Sequence, residues 1–371
     1  MRLNGIGGNV RSFVVWGLAM GAVLLALPRA DAATSRTWTG PANGEWFAAG
    51  NWNPADDYPQ DGDSVSITNG TILLTNSTAQ LDGFVITNAT ITFTNWPTTL
   101  NATNVTIRNN GKFQHAVCNT NAAISNTNRV SVSCSNLTVD VGGSINVSAQ
   151  GYIGGRFGQT PPVGTGPGGG GSQSDRGGPG SYGGRGGAAG NVPGPTYGSA
   201  SLPEEPGSGA GGGNAFGGNG GGAIWVQASG AVAVNGSVLA DGGNGSGDQS
   251  AGGSGGGIYI GCDTFAGSGL VRAKGGDLGG NCGGGGGGRI AVNYSTASQA
   301  GIVPAPAIVF SVAGGTGAVK GQMGTLWLPD VAVLATLLAH TGHLITPGAS
   351  SWAPDSLTVS NGQVMFPSGF Q

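Results

Sequence analysis

Charge is scarce in this 371-residue chain: Lys, Arg, Asp and Glu make up 8% of it, against about a quarter of an average soluble domain. No basic stripe exists that could neutralise a run of phosphates, so nucleic acid is not an expected partner. Histidine occurs three times and cysteine four times. Cys118, Cys134, Cys262 and Cys282 include no close Cys-x-x-Cys pair, and His115, His340 and His343 make no ligand run with them. That spacing excludes the usual zinc signatures, and no metal or cofactor is expected. Glycine runs satisfy Gly-x-Gly-x-x-Gly many times, yet none opens a helical pattern, which removes the dinucleotide reading. Long apolar runs are missing beyond the N-terminus. The best candidate, residues 331–339, is too short to cross a bilayer.

What is present begins with an export signal. Arg2 and Arg11 precede an apolar stretch from Phe13 to Leu27 and then Ala30-Asp31-Ala32, the order of a secretory leader cut after Ala32. Loss of residues 1–32 takes the formal charge from −3 to −5. The mature chain is expected to be secreted or displayed at the cell surface, with no transmembrane segment. An even cysteine count in an exported chain suggests disulfides, and proximity suggests Cys118–Cys134 and Cys262–Cys282 among three possible connectivities.

Glycine, at 78 residues, is abundant, yet 38% of the chain is hydrophobic and recurs in a pattern. That combination argues for an ordered repetitive scaffold rather than disorder. Ile67, Asn69, Ile72 and Leu74 map onto Ile86, Asn88, Ile91 and Phe93 at one offset of 19 residues. Val105 to Phe113 and Leu137 to Val147 repeat the template more loosely, and Leu357 to Phe366 aligns with Phe84 to Phe93. Each unit holds two short strands alternating apolar with Ser or Thr, joined by an Asn or Gly that tolerates a left-handed corner. A constant period favours stacked parallel coils over an antiparallel sandwich. Ile224-Trp-Val226, Ile258-Tyr-Ile260 and Ile290-Ala-Val292 follow glycine runs at spacings of 34 and 32 residues and read as wider coils.

The expected fold is therefore all-β, a right-handed parallel β-helix with glycine-rich loop insertions. Its divisions are a signal peptide (1–32), a Trp-rich cap (33–63), regular coils (64–150), a Gly/Pro-rich insertion (151–222), and wide coils with C-terminal rungs (223–371). The insertion is either a flap or a packed array of extended segments. Trp38, Trp46 and Trp52 either cover the open end of the solenoid or face a carbohydrate ligand; their position before the first coil favours covering it.

The blocks Trp38-Thr-Gly, Gly44-Glu-Trp46, Asn51-Trp52 and Gly62-Asp63-Ser-Val65-Ser-Ile67, with Gly283 to Val292, resemble bacterial exported glycine-rich β-helix proteins carrying autotransporter-associated repeats. The resemblance implies a surface-exposed or secreted solenoid of adhesive character, passenger-like and without a membrane barrel within these residues. It supplies no catalytic residues.

The expected role is structural or adhesive, with surface polysaccharide or matrix as partner. The enzymatic alternative is a polysaccharide lyase or glycoside hydrolase, which needs carboxylates and a cation in one groove. Its candidates are Asp140, Asp241, Asp263 and Asp277 with Arg272, Lys274 and Arg289. Asp56, Asp57, Asp61 and Asp63 could supply oxygen ligands to calcium but lack a loop spacing for it, and read as turn formers. Thr68/Thr87 and Thr75/Thr94 make only a short ladder for an ice or crystal surface.

Overall fold

The corner residues of the repeat adopt the left-handed backbone that glycine and asparagine take most readily. Gly70 has φ +87°, Asn88 +50°, Asn109 +46° and Gly142 +80°. Each lies between two short strands, so the chain turns at the same place in successive repeats. The computed structural model describes residues 33–118, 128–189, 191–278, 280–334, 339–354, 359 and 362–371. The expected leader and residues 357, 358, 360 and 361 of the last expected rung lie outside these.

Among the described residues the protein is all-β but for a single α-helical turn, Thr296–Gln299, and one short 3-10 segment. Two long ladders hold the strands. The first runs through Ser35–Trp38, Ser64–Ile67, Leu81–Thr87, Leu100–Arg108, Val130–Val139, Ala223–Ala228, Gly257–Gly261, Arg289–Asn293, Thr325–Trp327, His343–Ile345 and Val364–Met365. The second runs through Asn43–Glu45, Thr71–Leu74, Thr90–Phe93, Lys112–His115, Ser144–Asn146, Ser237–Leu239, Leu270–Arg272 and Val309–Ser311. The chain visits the first ladder and then the second in each coil as far as Val309–Ser311, and every one of these pairings is parallel.

Register follows the repeat. Ile67 pairs with Ile86 and Ile72 with Ile91, while Leu137 pairs with Val105 and Ile145 with Phe113. Across the glycine-rich coils Ile224, Ile258 and Ile290 fall in one column, and Val226, Ile260 and Val292 in another. Because side chains alternate, each column is wholly buried or wholly outward. The buried columns form one core containing Phe84, Phe93, Phe113, Phe265 and Phe310. Single-file stacking of like residues satisfies every coil by its neighbours, and no coil could bury its apolar face alone.

Two departures from expectation concern the ends. The Trp-rich opening is itself a coil: Ser35–Trp38 pairs in parallel with Ser64–Ile67, and only Trp52–Asn53 crosses it antiparallel. Val364–Met365 pairs with Leu344–Ile345 in the first ladder, whereas its likeness to Ile91–Phe93 placed it in the second. Among the described residues the last strand of the second ladder is Val309–Ser311, beyond which only a single parallel bridge, Ser311 to Thr341, continues it.

The glycine-rich stretches form a packed array, built by a repeating hydrogen-bond rule. The amides of Ala251 and Ser254 donate to Gly211 and Ser208; those of Gly252 and Gly255 donate to Gly283 and Gly286; those of Gly253 and Gly256 donate to Gly243 and Ala240. Three successive residues thus address three different neighbours, and the fourth returns to the first. That is the three-residue turn of a polyproline II segment, whose backbone bonds only outward. Gly284 and Gly287 address Val319 and Gln322, while Gly285 and Gly288 address Gly276 and Ala273, by the same rule. The insertion joins the array through Gly180, whose amide donates to Gly252 and whose carbonyl accepts from Gly286. Segments approach so closely that a Cβ on Gly285 would stand 1.9 Å from the Gly253 carbonyl oxygen.

An alanine there should be costly. Gly285→Ala is expected to lower unfolding free energy by about 1–3 kcal/mol or more, since backbone cannot move aside. Gly50→Ala, where the added carbon meets nothing within 4 Å, should stay within about 0.5 kcal/mol of the parent. Urea unfolding of both variants checks the difference; equal midpoints would contradict the packing.

Candidate functional site

The charged candidates do meet, on an edge formed where successive coils leave the second ladder. Leu239 pairs with Arg272, which brings Asp241 one coil from Arg272 and Lys274. The Arg272 guanidinium donates through Nε at 2.9 Å and Nη2 at 2.7 Å to Asp241 Oδ2, and the Lys274 amide donates to Asp241 Oδ1 at 2.8 Å. Lys274 Nζ pairs with Asp277, whose Oδ1 accepts from the Thr316 amide at 2.7 Å and hydroxyl at 2.9 Å. These bonds draw the Asp277 carboxyl below its ordinary range against the opposing effect of partial burial, and raise Arg272. The result is two ion pairs joined by the Lys274 amide, in which each carboxylate already has its donors. A depression of about 270 Å³ lined by Asn214, Ala215, Asp248 and Gln249 includes none of them. Asp263 is exposed, and the Asp140 carbonyl closes a turn by accepting from the Gly143 amide at 2.8 Å. Arg289 is buried elsewhere, its Nε and Nη2 donating to the Tyr197 carbonyl at 2.9 and 2.8 Å.

Two sequence candidates need correction. Trp38, Trp46 and Trp52 face the core at 2%, 0% and 1% exposure, packed edge to face with centroids 5.1 and 4.8 Å apart. Rings this deeply buried pack the core of the two ladders, so these are not ligand-facing. The second correction concerns the disulfides, since all four cysteines are thiols. Cys134 pairs with Ala228, and the next register step brings Cys262 beside Ala228. The two thiols are thus two ladder steps apart, roughly 10 Å, beyond the reach of a disulfide. Cys282 packs in a separate small cluster with Ala210, Ala251 and Leu278, and Cys118 donates to the Asn128 carbonyl at 3.7 Å. Burial pushes the Cys134 and Cys262 thiols up to about 12.

The acidic cluster is an internal lock. Asp63, 3% exposed, accepts from the Thr34 and Gln60 amides at 2.8 and 2.9 Å and from Arg36 Nε at 3.0 Å. Asp56 takes another arm of the same guanidinium. Arg36 ties the first coil to the second in this way. Thr94, one member of the Thr ladder, donates its hydroxyl to the Leu74 carbonyl at 3.3 Å.

A different cluster was missed. Trp225 and Tyr259 occupy adjacent positions of one outward column of the first ladder, stacked with centroids 4.1 Å apart and planes 20° from parallel. Arg129, one position before the strand Val130–Val139, inserts its guanidinium between Trp225 at 5.5 Å and Trp96 at 4.6 Å. Trp96, Arg129, Trp225 and Tyr259 form one row along the stacking direction. Burial lowers the Arg129 pKa, and the charge of Glu204 only partly restores it. The signal available in the sequence was the match of Ile224-Trp-Val226 with Ile258-Tyr-Ile260, which places both rings outward. Trp96 and Arg129 lie too far away in sequence for any local pattern to join them.

One wall beside this row is a strap from the insertion. The Tyr182 and Tyr197 rings meet at a tilt with centroids 4.6 Å apart, Tyr182 donates to Glu205 at 3.0 Å, and the Arg289 guanidinium lies over the Tyr182 ring. A Cβ on Gly257 would stand 2.7 Å from the Glu205 carbonyl, so glycine at that outward position lets the strap lie flat on the sheet.

His115 fastens the far side of the insertion. Its Nε2 accepts from the Ala223 amide at 3.1 Å, and Nδ1 lies 2.7 Å from the Ala116 carbonyl, to which it donates. A residue before the insertion is thereby bonded to the first residue of the strand after it.

Comparison with family models matches residues 51–151 to the G8 domain, a little over a quarter of the chain. The matched part runs from the antiparallel strand Trp52–Asn53 to the coil ending at Ser144–Asn146, and it stops where the glycine-rich insertion opens. In that stretch the chain is similar to a G8 domain. Comparison with curated proteins and with solved structures gives no match.

Burial lowers the His115 pKa to about 4, which fixes the sign of a pH effect. Below the unfolded value near 6.5 the unfolded chain takes up a proton that the folded chain refuses until about pH 4. Stability should fall between those limits by roughly 3 kcal/mol. His115→Gln keeps an acceptor and a donor there, so it should lose less than the parent between pH 7 and 4.5. Urea midpoints at the two pH values measure this; parallel losses would contradict the assignment.

Proposed function

We propose that the chain is an exported right-handed parallel β-helix, secreted or held at a cell surface, with a structural or adhesive role and no catalytic activity of its own. The observation that carries this reading is the state of the carboxylates. Asp241 and Asp277, the two acids of the enzymatic alternative that meet a cation, are each bound by an internal base and by an amide. A hydrolase would instead hold two carboxylates apart across a bond, one of them protonated. A lyase would hold a base beside a cation left available to the sugar acid.

Other features support the scaffold. The ladders repeat one geometry over many coils, the glycine array braces one side of them, and the Arg36–Asp63 lock fastens the first coil. The leader-like residues 1–32 and the likeness to exported glycine-rich solenoids with autotransporter-associated repeats support export and surface display. Polysaccharide or matrix is the partner this reading favours. Similarity to the G8 domain over residues 51–151 adds a family relation for the first coils.

The test is to produce the full chain in a secreting host and incubate the exported protein with neutral and acidic polysaccharides. A mature N-terminus at Ala33, with polymer retained and no new reducing ends or unsaturated products, is the expected result. Release of either product would contradict the non-catalytic reading, and retention of the protein inside the cell would contradict export.

A further inference from the structure

We propose that the row Trp96, Arg129, Trp225 and Tyr259 is a subsite for an acidic glycan, a polymer carrying uronic acid carboxylates. The proposal rests on the adhesive reading above and deepens it by assigning a place and a ligand chemistry.

Arg36 and Arg272 hold carboxylates, as does Lys274, and Arg289 holds a backbone carbonyl. Arg129 holds neither: its Nε is buried with no hydrogen-bond partner, and among the described residues no ion pair reaches its guanidinium. A desolvated guanidinium donor left unmade is expensive. The group lies over two indoles, 4.6 Å from the Trp96 centroid and 5.5 Å from that of Trp225, which favour its place in the row. Glu204 acts on it only through space. A cation fixed in position, partly desolvated and without an acceptor is preorganised for an anion that arrives from outside.

The flanking rings set the kind of anion. Trp225 spends one face on Tyr259 and the other on Arg129. Tyr259 is itself buried, so what the half-buried Trp96, Arg129 and Trp225 leave to a ligand is ring edge, the positive side of the aromatic quadrupole, together with guanidinium N–H. Such a strip suits a carboxylate with polar groups on either side better than a flat apolar sugar face. The row also follows the stacking direction of the coils, at about 4.8 Å per step. A polymer with regularly spaced acid groups can lie along it, with the strap carrying Glu204 as a wall. Glu204 competes for Arg129 and should weaken binding.

The experiment titrates the full-length exported protein with polygalacturonate, dextran sulfate and neutral dextran, following tryptophan fluorescence and heat. Polygalacturonate should bind, weakening as salt rises, and Arg129→Gln should loosen it roughly tenfold. Glu204→Gln, at an exposed position, should tighten it and keeps the test decisive if the arginine variant folds poorly. Unchanged binding in both variants, equal binding of neutral dextran, or stronger binding of dextran sulfate would each overturn the carboxylate subsite. These results are independent of the scaffold reading, which fails on export or on polymer cleavage.

Discussion

Contact between bare backbones is the constraint on which this protein depends. Glycine segments hydrogen-bond to three neighbours at once, and many approach so closely that a carbonyl oxygen lies about 2 Å from where a Cβ would be. Only chains without side chains can pack this way. The array therefore needs its glycine as a core needs its leucines, and it replaces hydrophobic burial with directional bonds. Each bond contributes modestly, but every glycine amide that had not found a partner in the interior would cost more. The array is cooperative for that reason.

From this constraint the remaining features follow in order. Because the array is braced by the loops of successive coils, the wide coils keep the register of the narrow ones, and Ile224, Ile258 and Ile290 stay in one column. Because the register holds, Trp225 meets Tyr259 on the outward side. The strap leaving the array at Tyr182 to Pro206 lies on the same sheet, where Gly257 makes room. A 72-residue insertion between Gly151 and Gly222 thus opens no gap: His115 bonds Ala223 across it, and Val130–Val139 pairs with Ala223–Ala228 as an adjacent coil would.

Much of this was legible in the sequence, for a physical reason. The 19-residue offset between Ile67 and Ile86 reports stacking directly, because register errors would turn every apolar residue outward. Asn88 and Asn109 mark corners since few other residues tolerate their backbone. The glycine array was not legible, because its information lies in which carbonyl each amide finds and glycine carries no label for that. The cysteines differ for a related reason: nearness in sequence is not nearness in space here, and the stacking places Cys134 in the same column as Cys262 and Cys282 in another cluster. Asp241, Arg272 and Lys274 stand together among the enzymatic candidates; the structure joins them through the Lys274 amide and the Arg272 side chain, not the Lys274 ammonium.

The measurement that tests the account most directly is amide hydrogen exchange resolved at single glycines. Gly252 to Gly256 and Gly284 to Gly288 should be protected to an extent comparable with Ile258 to Ile260 in the neighbouring strand, because their amides are as fully bonded. Exchange of those glycines at the rate of an unstructured chain, while the strand stays protected, would show that the array is a set of loops and would contradict the central claim.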